Sequence, residues 1–456
     1  MPEPIRVVVI GAGFAGIEVA RGLGRAGIAV TLIDRQNHHL FQPLLYQVAT
    51  AALSPADIAE PVRKMLRDFP GVEVVLGEVT GIDTAARAVT LASGARFAYD
   101  VLVVASGATH SYFGHDEWAA FAPGLKSIED ARAIRSRLLL AFEQAEMSRD
   151  AAEQKRLMTI AVIGGGPTGV ELAGSIAELA RYTLAKDFHR IRAETATVLL
   201  LEAGPRILAA FPQALSRYAA GKLAALGVTL RTATPVERIT ADAVTAKGEA
   251  IPVGFAIWAA GVTASPLGRM LGVPTDRAGR VTVNRDLSVP RLENVYVLGD
   301  LALTPDEHGK PLPGLAQVAK QEGVYLGRAL ARKISSGATP APFAFRNRGN
   351  TAIIGRHAAV FDFGWWQLKG WFAWSFWAVI HVYLLVGFQH RLLVAIQWLW
   401  RYVTYERGSR LIAELSSPVV TGEVARPHLR GRDGGGQRGT SEPSRPPPPL
   451  RGPPPP

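Results

Sequence analysis

Two sets of glycines, each followed along the chain by a carboxylate, are the residues in this sequence best suited to chemistry. Gly11-Ala-Gly13-Phe14-Ala15-Gly16 and Gly164-Gly-Gly166-Pro-Thr168-Gly169 both place glycine at the first, third and sixth of six positions. The first glycine of such a loop permits a tight turn. The second lets the backbone approach a pyrophosphate, and the third lets a helix pack close to a strand. A helix starting at the loop then points unpaired N–H groups at the phosphates. Asp34 closes the run Ala29 to Asp34, at the separation expected of a ribose-binding acid. Glu202 closes Val198 to Glu202 and lies farther from its loop than the usual ~20 residues. The excess falls in Ala177 to Thr195, which reads as an extended helix and loop. A carboxylate at Glu202 repels a 2′-phosphate and so favours NADH over NADPH, while Arg206 nearby weighs the other way.

The elements that must position these residues are strands alternating with helices. Arg6 to Ile10 leads into the first loop and Thr159 to Ile163 into the second, with helix-like stretches after each, Ile17 to Gly24 and Val170 to Tyr182. This is the opening of a βαβ dinucleotide unit, present twice. Further β-rich runs occur at Val72 to Leu76, Val101 to Ala105, Val228 to Arg231, Ala256 to Ala259 and Val295 to Leu298. The expected fold is therefore α/β, with two Rossmann-like domains. Two such domains suit two dinucleotides face to face, a flavin on one and a nicotinamide on the other. Asn294-Val-Tyr-Val-Leu-Gly-Asp300 reads as a strand returning to the first domain and ending in Gly-Asp. In two-dinucleotide flavoproteins the aspartate of such an ending meets the ribityl and phosphate region of the flavin, which makes Asp300 the expected flavin contact. The predicted order is a flavin domain (1–125), interrupted by an NADH domain (126–280), and resumed over 281–362.

Composition narrows the function. The 456 residues include no cysteine, which removes thiolate metal sites, disulfides and redox cysteine pairs. His38, His39 and His381 lack metal-ligand spacing, so no metal is expected. The net charge of +11 owes much to an arginine-studded tail, and no nucleic-acid partner is expected. A strand-like start running straight into a glycine loop leaves no signal peptide in view, which predicts a cytoplasmic catalytic body. From 415 to 456 the chain is rich in Pro, Arg and Gly and reads as disordered.

Seven of the nine tryptophans fall between Trp365 and Trp400. Trp371 to Phe388 is 18 residues with only Ser375 and His381 clearly polar, just inside the range for spanning a bilayer. The alternative is a helix lying in the interface. After it, His390, Gln397, Arg401 and Thr404 form one polar stripe among Leu392, Leu393, Ile396, Trp398, Leu399 and Trp400, a pattern suited to the headgroup plane. Arg391, Arg401, Arg407 and Arg410 suit anionic lipid. A buried core helix or a homodimer face would explain part of the same pattern. The segment 363–414 is read as membrane-associated helices.

The sequence resembles the type II NADH dehydrogenases, single-subunit NADH:quinone oxidoreductases, over roughly residues 5 to 412. The similarity rests on His38-His-Leu-Phe-Gln-Pro-Leu-Leu-Tyr-Gln-Val-Ala-Thr50, Gly164 to Gly174, Trp258-Ala-Ala-Gly-Val262, Gly299-Asp300, Ala316-Gln-Val-Ala-Lys-Gln-Glu-Gly323 and the aromatic region after Phe363. The resemblance implies non-covalent FAD held by Gly11, Gly13, Phe14, Ala15, Gly16, Asp34 and Asp300, with His39 and Thr50 lining it. Ala105 and Gly107 would pass near its pyrophosphate. NADH, the substrate, would lie on Gly164, Gly166, Thr168, Gly169 and Glu202, with Ala260 and Gly261 approaching both nucleotides. Ala316 and Gln317, with Lys320 and Gln321 on the same helix, would sit beside the flavin where ubiquinone or menaquinone docks. Glu171 would lie near the nicotinamide, kept ionised by the positive helix end, and take part in the hydride and proton steps. The resemblance further implies a monotopic protein on the cytoplasmic face, reducing quinone without pumping protons. The alternative is a soluble FAD-dependent reductase of a small electron-transfer protein, against which the aromatic segment argues. A non-catalytic, membrane-bound NADH sensor is a further alternative; it would bind FAD without turnover.

Overall fold

The computed structural model describes residues 5–385 and 388–412. The tail read from 415 onward lies outside them. The strand Val7–Ile10 is buried on both faces, as a central parallel strand must be. It pairs in parallel with Val30–Asp34 on one side and Val101–Val104 on the other. Val72–Leu76 and Val295–Val297 complete a five-stranded parallel sheet at its two edges. The last strand comes from almost 200 residues after its neighbour Val101–Val104, so the second half of the chain does return to the first sheet.

The inserted segment builds a second parallel sheet in the order Val228–Arg231, Thr197–Leu201, Thr159–Ile163, Phe255–Trp258. Each sheet carries a three-stranded antiparallel meander, Val79 to Ala98 in the first case and Val236 to Pro252 in the second. The two crossings between domains run side by side. Ala108–His110, leaving the first sheet, pairs antiparallel with Val262–Ala264, which follows the last strand of the second.

Helix Gly16–Arg25 buries Ile17, Val19, Ala20 and Leu23 against the first sheet. On its other flank lies helix Ala316–Ser336. A Cβ at Gly22 would come within 2.9 Å of the Gly327 backbone, and one at Gly323 within 2.2 Å of the Ala15 carbonyl oxygen. Glycine is required at both positions for the helices to approach this closely.

The strands Asn350–Gly355 and Ala358–Asp362, within the segment 281–362, do not pair with the first sheet. They join Gln367–Gly370 in a separate antiparallel sheet. That sheet packs on helix Pro167–Glu178, so tightly that a Cβ at Gly174 would meet the Ile354 carbonyl oxygen at 1.8 Å. Two helices follow, Trp371–Leu384 and Phe388–Thr404. The first has 14 residues rather than 18. Among the described residues no helix is long and apolar enough to cross a membrane. The helix read from Val170 to Tyr182 also differs. It is α-helical to Glu178 and widens into a π turn over Leu179–Thr183.

Candidate functional site

Both glycine loops sit at the carboxyl ends of their central strands, where the strand order reverses, the place open α/β sheets offer to ligands. Their geometries are near copies. Gly11, at φ +99°, lies so close to the next crossover that a Cβ would strike the Ala105 carbonyl oxygen at 2.4 Å. Gly164, at φ +110°, faces Ala259 in the same way at 2.5 Å, with Ala260 beside it. Cβ atoms on Gly16 and Gly169 would each reach the first glycine's carbonyl oxygen at 1.8 Å. By contrast, a Cβ on Gly13 or Gly166 would meet nothing within 4 Å. Those two glycines leave the space at the helix start that a pyrophosphate needs. Thr168 is exposed at the start of the second helix.

The two strand-end acids are equivalent as well. Asp34 accepts from the Ala12 N–H (2.6 Å) and the Gln36 N–H (2.7 Å). Glu202 accepts from Gly165 N–H and Gly204 N–H, both at 2.6 Å. The 37-residue separation of Gly165 and Glu202 therefore does not displace the acid. Arg206 spends its guanidinium on the Phe211 and Ala209 carbonyls.

The remaining residues proposed for the first nucleotide converge on its loop. His39 is buried and pairs through Nδ1 with the Ala12 carbonyl oxygen at 3.0 Å, and burial lowers its pKa. Its ring meets Phe14 edge-on at 5.1 Å. Gly107 takes φ +68° just beyond Ala105 and accepts from the Ser265 N–H. A Cβ on Gly299 would lie 3.4 Å from Ala319 and 4.0 Å from Ala15, which sets the Gly299–Leu301 turn, with Asp300, beside the loop. Asp300 lies 3.9 Å from Lys126. Glu322, buried on the neighbouring helix, accepts from the Gly299 N–H and the Thr304 hydroxyl, and desolvation raises its carboxyl to about 7. Its signal in the sequence is its place in Ala316 to Gly323, directly after Gln321. Across the domain boundary, Gly261 packs against Phe113, and Trp258 donates its indole N–H to the Ser111 carbonyl.

Ala316, Gln317, Lys320 and Gln321 lie on one helix, which Ala316 begins, and Lys320 is exposed. Gln317 and Gln321 share a face, but that face is occupied. Gln317 donates to the Gly349 carbonyl and accepts from the Arg348 N–H. Gln321 does the same with the Arg346 carbonyl and N–H. Both amides act as rungs holding 346–349 in place. A primary amide offers the same donor and acceptor pair as a backbone strand, which is why two glutamines four apart can secure an extended segment.

Glu171 departs from the ionised state expected of it. It lines a cavity of about 740 Å³ between helix Pro167–Glu178, strand Asn350–Gly355 and the two terminal helices. Desolvation there outweighs the helix dipole and pushes its carboxyl up to about 8; the Ile353 N–H at 3.5 Å offsets little.

The terminal helix turns its polar stripe inward. His390 reaches Glu60 (2.7 Å), Gln397 reaches Asp57 (3.3 Å), and Trp398 and Arg401 both donate to Gln47 (2.9 and 3.3 Å). Arg407 is buried against the Thr50 carbonyl and Ser175, and Arg410 pairs with Asp187. Arg391 donates to the Leu385 carbonyl and lies over Tyr383. Sequence assigned these four arginines to lipid, but their guanidiniums are held by protein acceptors. Thr50 also bonds Ser175 at 2.8 Å, joining the two domains. What faces outward is apolar: Leu392, Ile396, Leu399, Trp400 and Val403, with Trp371, Phe372, Val379 and Tyr383 of the preceding helix. A contiguous exposed surface of this kind marks an interface with lipid or protein.

Residues 5–323 match the pyridine nucleotide-disulphide oxidoreductase family, and residues 347–404 match the NDH2 C-terminal domain. Over 428 residues, 91% of each chain, the sequence is 42% identical to the type II NADH:quinone oxidoreductase Ndh of Mycobacterium tuberculosis. It is 43% identical to NdhA of the same organism over 423 residues, 89% of each chain. The structure of NDH2 from Plasmodium falciparum in complex with NADH has the same fold, with a TM-score of 0.83 at 21% identity, covering 90% of this chain and 100% of that one. With its paired nucleotide loops and this C-terminal module, the chain belongs to the type II NADH:quinone oxidoreductases.

Proposed function

We propose that the chain oxidises NADH through bound FAD and reduces a membrane quinone, ubiquinone or menaquinone, without moving protons across the bilayer. The observation that carries this reading is the pair of open glycine loops, each closed on a strand-end carboxylate, within one chain. The space beside Gly13, the acid Asp34 and the turn bearing Asp300 fit FAD. The space beside Gly166, with Glu202, fits NADH. Bound FAD would take a hydride from NADH and pass two electrons to the quinone, chemistry no side chain here supplies. The chain's own work is to orient and to manage protons. Glu171, neutral at pH 7, holds a proton at the cavity wall and is suited to deliver it to a reduced quinone oxygen. Gln317 and Gln321 act by fixing 346–349, with Ala316 and Lys320 left to face the flavin edge.

The exposed apolar face of the last two helices supports seating on the lipid surface, on the cytoplasmic side. A second copy covering part of that face is the alternative occupant, and the mass of the protein in mild detergent separates the two. The central test is NADH oxidation under argon, with and without a short-chain quinone. Turnover that requires quinone, with a flavin colour that bleaches and recovers, supports the reading. Bleaching without recovery on quinone addition removes quinone as the acceptor.

A further inference from the structure

Two apolar side chains are exposed at Gly261. Val262 follows it in the chain and is 56% exposed; Phe113 lies against it and is 68% exposed. A Cβ at Gly261 would come within 2.6 Å of the Phe113 ring, so the ring rests directly on the glycine. A single exposed apolar residue is ordinary, but this one is held in a strained conformation. Phe113 takes φ +55° and Gly114 φ +95°. The left-handed region crowds the Cβ of any residue but glycine. The turn is also anchored. Ser111 donates its N–H to the Gly261 carbonyl, and its own carbonyl accepts the Trp258 indole N–H. Tyr112 stacks on Trp258 at 5.1 Å and donates its hydroxyl to the Ala122 carbonyl. Phe113 meets the same indole edge-on at 6.0 Å. Backbone strain of this kind, held by a firm surround, gathers where proteins meet ligands.

The topology decides which part of a ligand the ring would meet. In the second sheet the central strand Thr159–Ile163 lies between Thr197–Leu201 and Phe255–Trp258. Glu202, the ribose acid, follows the first of these neighbours and accepts from the Gly165 N–H. Ala259 to Gly261 follow the other, with Ala260 so close that a Cβ on Gly164 would lie 2.6 Å from its Cα. A dinucleotide with its pyrophosphate on the glycine loop and its adenosine ribose at Glu202 extends its nicotinamide half over the opposite neighbour. That is where the Phe113 ring stands. The paired crossings Ala108–His110 and Val262–Ala264 lead from the same point toward the flavin domain.

We propose that Phe113 is a binding residue for NADH, its ring and Val262 forming an apolar wall against the nicotinamide and its ribose. The inference rests on the reading that the second cleft takes NADH. Such a wall takes water from beside the dihydronicotinamide and limits how far that ring can tilt away from the flavin.

The test uses the full chain with FAD in detergent micelles, with a short-chain quinone as acceptor under argon. Phe113→Ala is expected to raise the KM for NADH about tenfold or more, while kcat at saturating NADH falls less than about threefold. Phe113→Leu restores apolar bulk and is expected to recover most of the loss. Phe113→Trp gives a direct readout. Its emission in excess of wild type is expected to be quenched by NAD+, whose cationic ring stacks on indole, and not by ADP-ribose, which lacks that ring. FAD content and unfolding midpoint identify any variant that fails to fold, and Phe113→Trp then decides the matter. A KM within about twofold of wild type in a folded Phe113→Ala overturns the proposal. So does equal quenching by NAD+ and ADP-ribose, which would set the ring beside the adenosine half. Failure of NADH to bleach the wild-type flavin overturns the reading of the cleft as well, whereas the other two outcomes overturn the role of Phe113 alone.

Discussion

The indole N–H of Trp398 donates to the side-chain oxygen of Gln47 at 2.9 Å, joining the terminal helix to the short helix Leu45–Ala49. Gln47 is 1% exposed, and its amide also donates to the Tyr46 hydroxyl and accepts from Arg401. Replacing it by leucine takes a hydrogen-bond partner from three groups, the buried Tyr46 hydroxyl and the half-buried Trp398 indole and Arg401 guanidinium. We expect Gln47→Leu to lower the unfolding free energy by about 1–3 kcal/mol, measured by urea denaturation. An unchanged midpoint would show that the terminal helix docks by its apolar contacts alone.

The glycines within one loop should respond in opposite ways. Gly13→Ala meets no protein atom, so the fold should survive while FAD content falls. Gly16→Ala drives a methyl into the Gly11 carbonyl and should destabilise the protein itself. Circular dichroism and flavin absorbance, measured on both variants, separate a lost cofactor from a lost fold.

Glu202 accepts from Gly165 of the second loop and from Gly204 in its own strand-end turn. Glu202→Ala should raise the KM for NADH roughly ten- to a hundredfold, the range of a hydrogen bond to a charged group, and narrow the preference over NADPH. Initial rates with each nucleotide test this. FAD content should be unaffected, because Asp34 serves the other sheet.

Glu171 supplies a pH signature. Its carboxyl rises from 4.5 to about 8 on folding. Between those values the folded protein keeps a proton that the unfolded chain has released, so raising pH across the window favours unfolding. Wild type should lose stability relative to Glu171→Gln as pH rises from about 5 to about 8, and parallel melting curves would refute this. Under the proposed function, quinone turnover should also fall above about pH 8.

The outward face of the last helices can be tested by charge. Leu399→Glu with Val403→Glu changes two exposed positions, at 66% and 71%, and should leave the core intact. Flotation with anionic vesicles should show the double variant released from the membrane fraction. Retention would move the lipid contact to another surface.

Local patterns carried much of this architecture. The buried runs at Val7–Ile10 and Thr159–Ile163, the glycine spacing and the return at Asn294 to Asp300 each rest on a few adjacent residues, and both sheets follow from them. What pattern could not supply was which partner a polar group meets. The stripe of His390, Gln397 and Arg401 has the same periodicity whether it faces water or Asp57, Glu60 and Gln47. Gln317 and Gln321 were placed on one face by their spacing, but nothing in that spacing showed that 346–349 would cover it. The ionised state expected of Glu171 rests on the helix end, which is local, whereas the desolvation that overrides it comes from Asn350–Gly355 and the terminal helices. Gln47 has no signal beyond its place in His38 to Thr50, and Arg407 none beyond its place in a basic stretch.

Arg407 grips Thr50 from one nucleotide-binding half and Ser175 from the other, on the flank where Thr50 and Ser175 themselves touch. Elsewhere along that boundary the paired crossings, Ala108–His110 against Val262–Ala264, fasten the same two halves. Fastened at two separated points, the halves retain only rotation about the line that joins them. The spacing between the two nucleotide clefts is therefore set largely when the chain folds, and reactants held in the two clefts meet across a gap the fold has already measured out.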